Sequence, residues 1–453
     1  MRTPIKWAAW IFIWVVGSAM APRDVAPSWA SWPLPAMVTQ VCKDSRPGPS
    51  TCKLIDSERR VVDDGIAEYS YTLQLGPGPH ELLTLHRVVQ EAWPGVPLTP
   101  SRSLFLLHGD IWGFRGAFLP GVASAVLPRK PSFAIYLARQ GLDVWGIDMR
   151  WVNVPAQTTD FTFMRDWNLE THAQDLGTGL AVARYVRGLA NRSADGPMPL
   201  LGWSRGAMVG YAYLNAETRA SKERQHVSAF IPVDVAFSFG PDAPAQRQDA
   251  CQGYKTLAAL QTSGVYADNS GQTLQNLGTY ANAAPSSPSA FLPGLTNREA
   301  ALLAGTATYR LQGLPIFKWY HFTGGVFSGS TATALSWTHE RFFFDTLEQA
   351  VPYQSLGEQV ESLALWCGTP KLPYTDRLKH VKVPVLYVGA EGGTGRFGHY
   401  SVSQLGSKDV SFHLVQRLQD GARALDFGHA DLFLATDADK NVWPRITDWL
   451  SRH

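Results

Sequence analysis

Gly202-Trp203-Ser204-Arg205-Gly206 closes an apolar run, Pro197 to Leu201, and is followed at once by a helical pattern. This G-x-S-x-G spacing puts a hydroxyl on a sharp turn between a strand and a helix. Glycines two positions before and after the serine leave room for neighbouring chain to pass close. A serine at a helix N-terminus faces unpaired N–H groups and the positive end of the helix dipole, and both favour the negative charge that develops when a hydroxyl attacks a carbonyl. The hydroxyl is a weak nucleophile until a base takes its proton. The chain must therefore bring a histidine, an acid and a pair of oxyanion donors to Ser204.

The elements around it read as a layered α/β domain. Ile66 to Leu75 alternates like a half-buried strand, and Glu81 to Val89 follows as its antiparallel partner. Ser103 to Leu107, Leu142 to Asp148, the strand before Ser204, Val227 to Asp234 and Val383 to Gly389 are apolar runs, the pattern of strands buried on both faces. Helical patterns lie between them: one from Pro131 to Gly141, with Ser132 as its N-cap and Gly141 as its stop, and one from Asn168 to Leu189. Strand and helix in alternation argue for a parallel sheet with helices on both faces. Ala422 to Phe427 reads as a last short strand and Val442 to Leu450 as an amphipathic closing helix. From about 240 to 374 the alternation stops. That segment is polar and glycine-rich, then helical, with capping boxes at Thr296-x-x-Glu299 and Ser355-x-x-Glu358 and aromatic-dense stretches at Ile316 to Phe322 and Trp337 to Phe344.

The order of these parts resembles the α/β-hydrolase superfamily, from about residue 65 to the C-terminus apart from the insert. The matching stretches are His108-Gly109-Asp110, Gly202-Trp-Ser-Arg-Gly206 and Gly428-His-Ala-Asp-Leu-Phe433. The resemblance implies an α/β-hydrolase fold, a mostly parallel sheet with helices on both faces and a large, mostly helical cap insertion. The expected division is 1–21 signal peptide, 22–64 N-terminal extension, 65–239 first part of the core, 240–374 cap, and 375–453 second part of the core. It also implies roles. Ser204 is the nucleophile and His429 the base, the latter preferred over His399 because it follows the last strand. The N–H groups of Arg205 and Asp110 receive the oxyanion, and His108 is structural. For the acid, the family has Gly-x-x-Asp after the seventh strand, whereas this chain reads Gly389-Ala-Glu-Gly-Gly393. Glu391, one place early, is the preferred acid, and Asp234 at the end of the preceding strand is the alternative. Asp426 and Asp431 are too close to His429 in sequence to serve. Gly141-Leu-Asp-Val-Trp-Gly-Ile-Asp-Met-Arg150 is also similar to a stretch of the acid lipases, although the histidine those enzymes carry before the nucleophile is Trp203 here. That likeness favours esters with apolar acyl groups, with Trp203 and Trp112 as substrate contacts.

With 453 residues, 45% apolar and 17% charged, the chain can bury a large core, and a net charge of +2 gives no reason to expect nucleic-acid binding. Sixteen Trp suit a site lined for apolar or ring-bearing groups. Met1 to Lys6, the apolar Trp7 to Val16 and Ala19-x-Ala21 form a signal-peptide pattern, cleaved or kept as an anchor, which implies export and allows association with a lipid surface. In an oxidising compartment Cys42 and Cys52 can close a short loop, leaving Cys251 and Cys367 to tie the ends of the insert. No glycine-rich phosphate loop, H-E-x-x-H or EF-hand pattern occurs, so neither cofactor nor metal is expected. Asn191-Arg-Ser193 is a glycosylation sequon. The reading is an exported serine hydrolase acting on a carboxylic ester. Two alternatives remain: an amide, lactone or polyester hydrolase on the same residues, and a binding protein that kept the fold without the reaction.

Overall fold

The computed structural model describes residues 35–44, 52–124, 132–306 and 320–453. The expected signal peptide and residues 316–319 of the aromatic stretch lie outside them. Nine strands line up in one sheet: β1 (Lys53–Asp63), β2 (Ile66–Gln74), β3 (Leu82–Trp93), β4 (Ser103–Leu107), β5 (Asp143–Asp148), β6 (Met198–Trp203), β7 (Val227–Val233), β8 (Val385–Ala390) and β9 (Val410–Val415). Their spatial order is β1-β2-β3-β5-β4-β6-β7-β8-β9, with the two-residue strand Val96–Pro97 beside β3. The first three are antiparallel to one another and β3 is antiparallel to β5. Every pairing from β5 to β9 is parallel.

Helices cover both faces because the buried strands send alternate side chains to opposite sides. Leu104 and Leu106 of β4, with Leu201 and Trp203 of β6, join a core shared with α2 (Phe133–Arg139). Phe105 and Leu107, with Met198 and Leu200, join a second core on the other face, shared with α3 (Leu169–Ala190) and α4 (Arg205–Glu217). Asn168 caps α3 by accepting the Thr171 N–H at 3.0 Å. Gly141, at φ +74°, ends the segment that contains α2. The Ser132 hydroxyl does not cap α2 and instead accepts the Gly121 N–H at 3.0 Å.

Between β7 and β8, which pair directly, the chain makes a long excursion. It contains α5 (Pro244–Thr262), α6 (Ser270–Ala283), α7 (Asn297–Thr306), a hairpin of Gly325–Ser328 with Thr331–Leu335, α8 (Glu340–Glu348) and α9 (Leu356–Cys367). Thr296 and Glu299 close the capping box of α7 reciprocally, the Thr296 N–H to the carboxylate at 2.8 Å and the Glu299 N–H to the Thr296 hydroxyl at 3.3 Å. At α9 only half the box forms. Ser355 Oγ accepts the Glu358 N–H, while the Glu358 carboxylate turns to His172 at 2.9 Å. Disulfides join Cys42 to Cys52 and Cys251 to Cys367. The second pins α5 to α9.

Two strand assignments change. Ala422 to Phe427 is no strand: 420–425 coils into 3-10 turns, and the last strand is β9, an edge strand whose residues are mostly half-exposed and so lack an apolar run. β1, exposed along most of its length, adds a third antiparallel strand before the expected pair. The C-terminal helix α10 (Trp443–Leu450) buries Trp443, Ile446, Trp449 and Leu450 against the first core.

Candidate active site

Ser204 sits between β6 and α4 with φ +55° and ψ −123°, outside the regions that residues with a Cβ normally occupy. Its N–H is held by the Val233 carbonyl at 2.9 Å. The spacing of the flanking glycines has a steric cause. A Cβ on Gly202 would come within 2.6 Å of the Ala207 backbone, one on Gly206 would strike the carbonyl oxygens of Leu107 and His108, and one on Gly109 would lie 2.8 Å from the Ser204 Cβ. The turn after β4 and the turn after β6 are therefore pressed together.

Among the described residues, Ile111, Ser204 and Asp234 are the only non-glycine residues at positive φ, at +77°, +55° and +47°. Such conformations cost about 1–3 kcal/mol each and persist only where the surroundings enforce them. All three line one cavity of about 640 Å³. Each is held by named bonds. The Ile111 N–H donates to Gln354 Oε1 at 3.1 Å and its carbonyl accepts the Val351 N–H at 2.7 Å, while the Asp234 N–H donates to the Val388 carbonyl at 2.7 Å.

The acid that meets His429 is Asp234. Its Oδ2 lies 2.6 Å from His429 Nδ1. The same carboxylate accepts the N–H groups of Ala390 at 2.8 Å, Thr394 at 3.0 Å and Gly395 at 3.0 Å. Burial would raise the Asp234 carboxyl, but the hydrogen bond and charge of His429, together with the backbone donors, hold it below the usual carboxylate range. Glu391, the acid preferred from the sequence, is turned away. Its Oε1 pairs with Arg396 at 2.5 Å and approaches Arg423 at 3.6 Å, at the end of the neighbouring strand. The contact to His429 falls to Asp234 because the glycine run after β8 wraps the carboxylate at the end of β7. Gly393 must lack a side chain there, since a Cβ would overlap Asp234 Oδ2, and Gly395 takes φ +52°.

His429 is buried and stacked on Trp203, with ring centroids 5.3 Å apart, and Tyr320 tilts against it at 5.1 Å. The loop carrying it is set by two neighbouring carboxylates that face backbone rather than the imidazole. Asp431 accepts the N–H of Gly428 at 2.7 Å and of Gly324 at 2.8 Å, and Asp426 accepts that of Phe427 at 2.7 Å. His399 lies elsewhere, packed on Tyr387 and Phe412.

Arg205 starts α4 and Asp110 sits in the turn after β4. Their side chains form a bidentate ion pair, Nε to Oδ1 and Nη2 to Oδ2 at 3.0 Å each, joining the two turns that face Ser204. Neither backbone N–H has an acceptor among the described residues. His108 is buried and neutral in role: Nδ1–H donates to the Gly109 carbonyl at 2.8 Å, Nε2 accepts the Met149 N–H at 3.0 Å, and burial pushes its pKa down.

Trp112 and Trp203 stack on each other at 5.8 Å, and the Trp112 indole N–H donates to the Thr346 carbonyl at 2.8 Å. With Gly109, Phe322 and His429 they line a small notch beside Ser204, which meets the large cavity at Asp110, Ile111, Ser204 and Tyr320. One wall of that cavity is a face of α5, where Asp249, Gln252, Gly253, Thr256 and Leu257 recur at helical spacing. Leu363 and Trp366 of α9 stand beside it, and Arg205 lies over the Trp366 ring at 5.8 Å. Gln354, Ile111 and Tyr320 were not foreseen from the sequence. Only Tyr320 carried a signal, as part of an aromatic-dense stretch.

The sheet order, the parallel run from β5 to β9 and the serine turn after β6 define an α/β-hydrolase fold. No family model matches the sequence, and no curated protein matches it. A crystal structure of a candidate lipase from Sulfolobus solfataricus is similar, with a TM-score of 0.55 at 17% identity over 88% of this chain and 99% of that one. A soluble variant of monoglyceride lipase from Saccharomyces cerevisiae also matches, at 13% identity over 90% of this chain and 98% of that one, but its TM-score of 0.40 is too low to establish a common fold.

Proposed function

We propose that this chain is a serine hydrolase that cleaves carboxylic esters through an acyl-enzyme, with Ser204 as nucleophile, His429 as general base and acid, and Asp234 as the acid that orients the imidazole. The observation that carries the reading is the 2.6 Å contact between His429 Nδ1 and an Asp234 carboxylate already held by three backbone N–H groups, in a site whose serine sits on a strained turn. A carboxylate fixed in this way keeps the proton on Nδ1 and leaves Nε2 to accept one.

Ser204 Oγ attacks the carbonyl carbon while its proton passes to His429 Nε2. The resulting oxyanion is received by the N–H groups of Asp110 and Arg205. Losing one such donor typically costs on the order of 3 kcal/mol in the transition state. The ester C–O bond breaks as the imidazolium gives its proton to the leaving oxygen, and an alcohol departs. Water then attacks the acyl-Ser204, its proton passing to His429, and collapse releases the carboxylic acid and returns the proton to Ser204. The solved lipase likeness fits an ester as substrate.

The segment 240–374 serves as the substrate cap, because its α5 and α9 supply a wall of the large cavity. Two disulfides are compatible with an extracellular location, and no described helix is long and apolar enough to cross a membrane. Export through the N-terminal segment is the localisation we propose. The test of the function is hydrolysis of a simple methyl ester by the native chain and by Ser204→Ala.

A further inference from the structure

The space on the two sides of Ser204 is very unequal. The cavity under α5 and α9 has a volume of about 640 Å³, whereas the notch that holds His429 has about 10 Å³. A single water needs roughly 10–15 Å³. The walls of the notch are stiff. Trp112 is buried, stacked on Trp203 and pinned through its indole N–H; Phe322 meets Trp112 edge-on at 5.7 Å; and Trp203 backs onto the imidazole. Closely packed aromatic rings yield only at a cost, because each is held by its neighbours on several sides.

His429 lines the notch and does not line the large cavity. In ester cleavage the leaving oxygen must take its proton from His429, and in deacylation the water must give its proton to the same nitrogen. Both events therefore belong on the side of the notch. The acyl group, attached to Ser204, is left with the large cavity, whose apolar lining includes Met208, Phe239, Leu257, Leu363 and Trp366.

We infer that the substrates are esters of a bulky, mainly apolar acid with a very small alcohol, methanol or ethanol, and that the notch admits that alcohol and afterwards one water. The inference rests on the serine-hydrolase reading above and adds to it which side of the ester is large. A one-water notch also limits competing alcohols, so transfer of the acyl group to a long-chain alcohol should be disfavoured.

An isomeric pair tests it: methyl octanoate and heptyl acetate have the same atoms and differ in which side of the ester is long. The native protein is expected to favour methyl octanoate at least 100-fold in kcat/KM. Phe322→Ala, which removes one wall of the notch, is expected to move the ratio toward heptyl acetate by tenfold or more, a gain that loss of folding cannot produce. Equal rates, or a preference for heptyl acetate by the native protein, overturn the inference without any variant, and turnover in itself would leave the serine-hydrolase reading standing. Hydrolysis of neither ester, with Ser204 also unreactive toward a small fluorophosphonate, overturns both readings. Hydrolysis of neither with Ser204 labelled overturns the substrate assignment alone.

Discussion

At the scale of single residues, the site is a set of enforced conformations. Ile111, Ser204 and Asp234 each depart from ordinary backbone geometry, and each is held by a neighbour's carbonyl or amide. Ser204 and His429 stand out in the sequence because short local patterns carry them, a glycine-flanked serine and a Gly-His turn. Which carboxylate contacts His429 does not. Asp234 and Glu391 end adjacent strands, and which of them meets His429 depends on how the loop after β8 folds back. The glycine density of Gly389 to Gly395 was the available signal: a loop so poor in side chains suits backbone N–H groups closing around another residue's carboxylate. The consequence is measurable in kcat. Asp234→Asn is expected to lower kcat by about 10⁴, the size of effect that follows when the orienting carboxylate is lost from such a constellation. Glu391→Gln should stay within about tenfold of the native kcat and instead lower thermal stability, because it leaves Arg396 and Arg423 facing an uncharged amide. The reverse ranking in steady-state kinetics would restore Glu391 as the acid.

At the scale of elements, the segment between β7 and β8 does more than cover the site. Val351 and Gln354, just before α9, grip Ile111 from both sides of its peptide, and Thr346 at α8 takes the Trp112 indole N–H. Ile111 follows Asp110, so the orientation of the Asp110 N–H depends on residues more than two hundred positions away. Core strands and flanking helices were readable because burial on two faces leaves continuous apolar runs and helical faces leave a 3.6-residue period. The insert was nearly mute, since its hydrogen bonds to Ile111 and Trp112 go through one side-chain amide and two backbone groups that no composition reveals. β9 was missed for a related reason: an edge strand with half-exposed residues has no run to read. Gln354→Met keeps the volume and removes the acceptor for the Ile111 N–H. If the Asp110 N–H donates to the oxyanion as proposed, the expected result is a kcat lowered by about tenfold or more with KM within twofold of native, since such a donor acts in the transition state. Gln354→Glu, which keeps an oxygen acceptor, should recover most of the rate. Equal kcat for Gln354→Met and the native protein in the same assay would separate the Gln354–Ile111 hydrogen bond from catalysis.

At the scale of the whole molecule, a buried charge network beneath the turn after β4 links its stability to pH. His86 lies between Glu68 at 2.8 Å and Asp148 at 3.0 Å, and Asp148 also holds the Phe114 N–H at 2.6 Å. Burial would lower the His86 pKa, but the two carboxylates raise it from 6.5 to about 9. Because the folded value is raised, the stabilisation is complete below about pH 6.5 and is lost as pH rises through about 9. Melting temperature should therefore fall between pH 7 and pH 10 more steeply in the native chain than in His86→Gln, and parallel slopes would show that His86 is not the group responsible. The fold class was readable from the order of strands and helices, while the shape of the substrate space was not, because it arises where the insert meets the sheet. The proposed activity stands or falls with Ser204 as the nucleophile of an ester hydrolase. The most direct measurement is the steady-state hydrolysis of methyl octanoate by the full chain and by Ser204→Ala, with circular dichroism to show that both are folded. The account predicts turnover by the native chain and a kcat lower by about 10⁶ in the folded variant. Hydrolysis by Ser204→Ala at the native rate would contradict it.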